Sequence, residues 1–235
     1  MADGNLACYI LDCLVTPAMT KRIPIMKIDR LILGMYETNC YVLRSSEAAK
    51  DCLIIDAGLE AGKLIKFLEE HKLNPVAVVL THGHIDHIAG VAALRGRFPD
   101  IKVYIHKLDA EMLSEPQTNL SAMTGGAFSI EPADFSVEEQ RCIEQAGVKL
   151  SVLHTPGHTP GGICLYSKDE AIVFTDDALF ADSIGRTDFP CGSLEQLLNS
   201  IREKLFILPD ETKVYPGHGP ITTIAHEKAH NPFLQ

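Results

Sequence analysis

The stretch T-H-G-H-I-D-H, residues 81–87, constrains this chain more than any other. It follows VAVVL (76–80), a short β-branched run of the kind that forms a buried strand. His82, His84, Asp86 and His87 therefore fall where a strand ends and the chain turns. The i, i+2 spacing of His82 and His84 does not share a helical face, but on an extended turn alternate residues point the same way. Those two can reach one ion. Asp86 and His87, at the start of the following helix, can reach a second ion beside it. Imidazole and carboxylate are donors that zinc, iron and manganese accept.

Three later stretches have the same character. HTPGHTPGG (154–162) carries His158 in a Pro/Gly turn after a strand, FTDDALF (174–180) carries Asp176 and Asp177 at a strand end, and YPGHGP (215–220) carries His218 in a glycine-bounded turn. Two adjacent ions are a known way to make a nucleophile at neutral pH. A G-x-S-x-G elbow, the signature of a competing serine mechanism, does not occur.

The chain around these motifs alternates strands and helices, the pattern of an α/β fold. Strands are expected at 26–34, 38–45, 51–58, 76–82 and 102–107, with helices at 60–73 and 86–99 between them. Residues 114–135, rich in Ser, Thr, Gly and Pro, read as a surface loop or lid. Strands follow at 148–156, 162–167, 171–176 and 213–219. The clearest helix is 193–208, with Ser193 as its cap and Leu194, Leu197, Leu198, Ile201 and Leu205 on one face. Residues 1–25 read as an N-terminal extension. Its apolar run ACYILDCLVTPA is interrupted by Asp12 and lacks a basic lead-in, so it is not read as a signal peptide.

At 235 residues the chain is long enough for one α/β domain with a substantial core. A net charge of −10, with no cluster of Lys and Arg, argues against a nucleic-acid backbone as partner. No apolar run reaches the length of a membrane span. Seven cysteines, an odd number without a C-x-x-C pair, suit a reducing cytoplasm better than a disulfide scaffold. Cys52 and Cys164 lie in apolar runs and read as small buried residues.

The motifs T-H-G-H-I-D-H, HTPGHTPG, FTDDALF and YPGHGP, in that order, resemble the metallo-β-lactamase superfamily. FTDDALFADSIGRTDFP and the ending HEKAHNPFL resemble its short glyoxalase II (hydroxyacylglutathione hydrolase-like) branch. The resemblance covers residues 26–235 and implies a four-layer αβ/βα sandwich. It implies two divalent ions, zinc first, with iron or manganese as alternatives. His82, His84 and His158 would hold one ion and Asp86, His87 and His218 the other. Asp177 would bridge them beside a hydroxide, Asp86 and Asp177 would serve in catalysis, and Asp56 would support the site from behind.

The implied activity is hydrolysis of a small-molecule thioester, with S-D-lactoylglutathione as type case, and Arg186 and Phe189 are candidate substrate contacts. The chain departs from the branch at Asp176, where the family usually has Gly; a second carboxylate there would face solvent or perturb the ligand set. With Gln235 soon after GHGP, the helical C-terminal domain that helps full-length glyoxalase II enzymes hold glutathione is not expected here. The alternative activity is a mononuclear iron persulfide dioxygenase of the same fold, which GRTDF also resembles. A β-lactamase matches less well, because those enzymes commonly place a cysteine at the second metal. His154, close to the His158 turn, is a candidate for supporting the site. His71, His106, His226 and His230 read as ordinary polar residues.

Overall fold

A computed structural model describes residues 26–235; the expected extension over 1–25 lies outside them. The first sheet contains β1 (Lys27–Leu33), β2 (Thr38–Arg44), β3 (Asp51–Ile55), β4 (Asn74–Val79), β5 (Lys102–His106) and β6 (Phe135–Val137), adjacent in that order. The second is built from β7 (Cys142–Gln145), β8 (Val148–His154), β9 (Ile163–Ser167), β10 (Ile172–Asp176), β13 (Lys213–Pro216) and β14 (Thr222–Thr223), in the spatial order β14-β13-β10-β9-β8-β7. A small hairpin, β11 (Leu179–Phe180) with β12 (Ser183–Ile184), stands apart.

Strand alternation makes the layers. In the first sheet Tyr41, Leu43, Leu53, Ile55, Ala77 and Val79 face the second sheet and meet Leu150, Val152, Ile163, Leu165 and Phe174. Their neighbours Cys40, Val42, Cys52, Ile54, Val78 and Leu80 point outward and pack against α1 (Ala61–Glu70) and α3 (Val91–Arg97). On the far side Cys164, Val173 and Val214 pack on α4 (Leu194–Ser200) and α5 (Ile224–His230). The result is the four-layer αβ/βα sandwich. Full burial of each such aliphatic side chain contributes about 1.5–3 kcal/mol. Truncating one at the sheet–sheet interface, Leu53→Ala for example, costs roughly 2–5 kcal/mol.

The expected helix over 86–99 is two short ones, α2 (Ile85–Ile88) and α3. Gly90 at the break donates its amide to Ala57 O at 2.6 Å, and a Cβ there would meet Ala57 O and Gly58 O at 2.9 and 2.8 Å. The backbone after β3 therefore passes too close for any side chain. The expected helix over 193–208 is α4 followed by a π-turn at Ile201–Leu205. Its cap is Ser193, whose hydroxyl accepts from Gln196 N. The lid region follows a 3-10 turn at Ala110–Leu113 and contains another, Ser121–Thr124, and β6 begins at its end.

Two parallel pairs position the site. β3 and β4 are linked through α1, and β10 and β13 through α4. The carboxyl ends of parallel strands, where the connecting chain leaves the sheet, are where α/β proteins bind ligands. Here both pairs deliver those ends to one rim. Asn39 closes the rim: its amide donates to Gly217 O, and its side chain to Pro216 O and Gly219 O, across the two sheets.

Candidate metal centre

His82 follows β4, and the chain turns through Gly83 and His84 into α2, which carries Asp86 and His87. His158 stands in the turn between β8 and β9. That turn is braced by α4: Ser193 N donates to Gly157 O at 2.7 Å, and Ser200 Oγ donates to Pro156 O at 2.8 Å. Asp176 ends β10, Asp177 follows it, and His218 stands just beyond β13.

These turns bring seven donors together as two sets of three with a carboxylate between. In the first set His84 Nδ1 lies 3.0 Å from His82 Nε2 and 2.9 Å from His158 Nε2. In the second, Asp86 Oδ2 lies 3.4 Å from both His87 Nε2 and His218 Nε2, which are themselves 3.4 Å apart. Asp177 reaches both. Its Oδ2 is 3.5 Å from His158 Nε2, and its Oδ1 is 3.6 and 3.5 Å from His87 Nε2 and His218 Nε2. Gly217 packs so closely on Asp177 Oδ1 that a Cβ would collide with it.

Four of the five imidazoles have the other ring nitrogen engaged. His82 Nδ1 donates to Asp176 Oδ2 at 2.5 Å, His87 Nδ1 to Asp56 Oδ2 at 3.0 Å, His158 Nδ1 to Arg186 O at 2.7 Å, and His218 Nδ1 to Tyr36 O at 2.9 Å. With Nδ1 protonated, each Nε2 turns a lone pair inward. Lone pairs at such separations repel unless a cation lies between them. Asp177 Oδ1 is buried with no hydrogen-bond partner, which is costly unless an ion is its neighbour. The donor set therefore fits two divalent ions.

Protonation follows the same logic. Burial, reinforced by His82 and His158, pushes the His84 imidazole well below its ordinary range. Burial also lowers His158. Asp86 lies far below the usual carboxylate range; burial opposes this, but His87 and His218 override it. Burial would lower His82 and His87 too, yet Asp176 beside them holds both up. Asp56 is raised to about 6 by burial and by Asp176, against the pull of His87.

Asp56 sits behind the site, accepting from Thr81 N and Thr81 Oγ1 as well as from His87. Asp176 does not face solvent: it is 6% exposed and backs His82 from the opposite side. Its φ is +48°, a left-handed conformation that glycine adopts without strain. Asp56, at +56°, has the same backbone form at the end of the other parallel pair. His154 does not support the ligand set; its ring stacks on His106 at 4.2 Å, and its Nε2 donates to Pro160 O.

The sequence reading missed Asp109. It is fully buried and accepts from Thr159 Oγ1 and Gly161 N, both at 2.6 Å, and from Gly83 N at 3.3 Å, so it ties the two histidine turns together. The available signal was topological: β5 runs parallel to β4, so residues just after β5 emerge at the same rim. Tyr36 was also missed; its carbonyl orients His218 from a hairpin far away in sequence.

Above the donors opens a cleft of about 410 Å³ lined by Tyr36, Ile85, Leu120, Met123, Phe180 and Phe189, with Asp86, His84, His158, Asp177 and His218 at its floor and Arg186 at its side. Phe189 meets His84 edge-on at 5.6 Å. The Arg186 guanidinium is held by Asp188 through two hydrogen bonds of 2.9 and 2.8 Å and lies 4.2 Å over the Phe189 ring. Among the described residues no helix is long and apolar enough to cross a membrane.

A family model described as the metallo-beta-lactamase superfamily matches residues 33–218. The hydroxyacylglutathione hydrolase GloC of Haemophilus influenzae is 37% identical over 213 residues, 89% of this chain and 98% of that protein. The crystal structure of BLEG-1 B3 metallo-β-lactamase is similar with a TM-score of 0.84 and 41% identity, covering 89% of this chain and 100% of that one. TTHA1623, solved in a di-iron-bound form, matches with a TM-score of 0.77 and 37% identity over 88% of this chain and 100% of its own. The chain belongs to the metallo-β-lactamase superfamily of metal-dependent hydrolases.

Proposed function

We propose that this protein is a thioester hydrolase of the hydroxyacylglutathione hydrolase type, working in the cytoplasm with two divalent ions, zinc by preference. The observation that carries the reading is Asp177: one carboxylate oxygen faces each set of donors, at the floor of a cleft open to a small molecule. The similarity to GloC along nearly its whole length supports the substrate class.

The ions would be held by His82, His84 and His158, and by Asp86, His87 and His218, with Asp177 between. Bound there, they would supply a lowered water pKa of about 7 and polarisation of a substrate carbonyl. The protein's own residues do the rest. Asp177 fixes the separation of the two sets and balances their charge. Asp56, Asp176, Arg186 O and Tyr36 O hold four imidazoles in the tautomer that donates a lone pair inward. Asp86, ionised and 3.2 Å from the Thr38 hydroxyl, keeps its orientation by accepting that hydrogen bond. Phe189 and Tyr36 wall the cleft and limit water near the scissile bond.

The second reading is the persulfide dioxygenase with a single iron, which the similarity to ETHE1 of Myxococcus xanthus supports, at 33% identity and a TM-score of 0.71. Metal analysis of the protein as isolated, beside assays with S-D-lactoylglutathione, glutathione persulfide under oxygen and a chromogenic β-lactam, separates the readings. Two zinc equivalents with thioester turnover is the expected result. One iron with oxygen consumption establishes the second reading. Turnover of the β-lactam alone would move the activity toward that of BLEG-1.

A further inference from the structure

The wall of the cleft has a chemistry that the metal donors do not explain. Tyr36, Leu120, Met123, Phe180 and Phe189 come from four separate segments of the chain and present apolar surface to one volume. Met123 is 65% exposed and Tyr36 42% exposed, so large apolar groups face water beside an intensely polar floor.

This wall is built rather than incidental. The lid segment is pinned by Asn119, itself fully buried. Its side-chain amide donates to Met112 O and Phe128 O at 3.0 Å each, and its carbonyl side-chain oxygen accepts from Ser121 N at 3.0 Å. Its backbone carbonyl accepts from Ile85 N at 2.8 Å, one residue before Asp86. The lid's part of the wall is thus registered to the donor sets through Asn119, as Tyr36 is through its carbonyl on His218. Leu120 takes a φ of +67°, a left-handed backbone that a branched side chain adopts only where the surroundings hold it. Strain of this kind clusters at ligand clamps.

Arg186 reinforces the apolar character. Among the described residues lining the cleft it is the one Lys or Arg, and Asp188 already meets its charge with two hydrogen bonds. Stacked over Phe189, it extends the apolar wall with its stem and ring face more than it offers a free cation.

We infer that the thioester this site prefers carries an apolar chain of several carbons next to the scissile bond, seated on Tyr36, Leu120 and Met123. The inference rests on the thioesterase reading. A chain seated there leaves water at each added carbon, and each buried methylene is worth roughly a threefold to fourfold gain.

The test uses the metal-loaded protein and two series. In one, the thiol is glutathione and the acyl group runs from acetyl and lactoyl through butyryl to hexanoyl. In the other, the acyl group is acetyl and the thiol runs from glutathione to alkanethiols of rising length. The expected result is a kcat/KM that climbs by roughly threefold per methylene along one series; which series climbs tells whether the chain lies on the acyl or the thiol side. Met123→Gln, a change at an exposed position, should flatten that climb. Hydrolysis at equal rates along both series, or an unchanged climb in Met123→Gln, overturns the inference and leaves the thioesterase reading standing. No hydrolysis of any member overturns both.

Discussion

Asp109 accepts the hydroxyl hydrogen of Thr159 at 2.6 Å, next to the histidine of one metal-facing turn, while also accepting the amide of Gly83, between the two histidines of the other. One buried carboxylate therefore sets the distance between His158 and the pair His82 and His84. Asp109→Ala leaves Thr159 Oγ1, Gly161 N and Gly83 N without this acceptor, at about 1–3 kcal/mol for each stranded donor. The expected outcome is a lower thermal midpoint together with loss of about one metal equivalent, held by the three histidines. Metal quantification after gel filtration checks it. Asp109→Ala with full metal content would show that the turns hold their geometry without the clamp.

The two oxygens of Asp177 face different donor sets, whereas His218 faces one. Asp177→Ala is therefore expected to lose more than one equivalent of metal and to fall to background activity. His218→Ala should lose about one equivalent and keep a measurable rate, because water can partly replace a single ligand. Full metal and full rate in both variants would show that the ligands lie elsewhere.

Asp176 combines a left-handed backbone with a hydrogen bond to His82. A carboxylate on the outer nitrogen makes an imidazole a better donor, and losing such a partner weakens metal affinity by roughly 10–100-fold. Asp176→Asn should show that weakening in chelator competition. Asp176→Gly should show the same loss of affinity while relieving the strained φ. Affinity unchanged in both would mean that the carboxylate is there for packing alone.

The stacked pair His106 and His154 makes a second pH dependence, separate from the ligands. Burial, then His154 and Lys107, pushes His106 down to about 4. In the unfolded chain the same ring titrates near about 6.5. Between those values the unfolded chain binds a proton that the folded protein refuses, so stability is full above about 6.5 and declines as pH falls toward 4. Urea midpoints of the metal-free protein should follow that decline. His106→Gln should make it shallower, and an unchanged slope would assign the acid sensitivity to other groups.

Much of this was legible in the sequence because each donor motif is local. His82, His84, Asp86 and His87 fall within six residues after a β-branched run, and the other motifs each end or follow a strand, so the strands announce where the side chains emerge. What escaped depends on distant neighbours. Gly90 breaks a helix because Ala57 passes beside it, which no helical periodicity encodes. β6 and β7 are short edge strands with exposed residues and carry little alternation to read. Asp109 resembles an ordinary turn aspartate until the parallel pairing of β4 and β5 puts it between two turns about 75 residues apart. The carboxylate of Asp176 looked like an intruder because its partner, His82, is 94 positions away.

The seam between the two sheets has a consequence for assembly. Each set of three donors draws two from the first half of the chain and one from the second: His82 and His84 with His158, Asp86 and His87 with His218. Any ion bound there would be a cross-link between halves joined otherwise by the loop from β6 to β7. During synthesis the first half leaves the ribosome with four of the seven donors already in hand, yet it lacks the third corner of either set. The second set closes only after β13 and the turn that carries His218, so an ion held there would mark the joining of the two halves and not the folding of either.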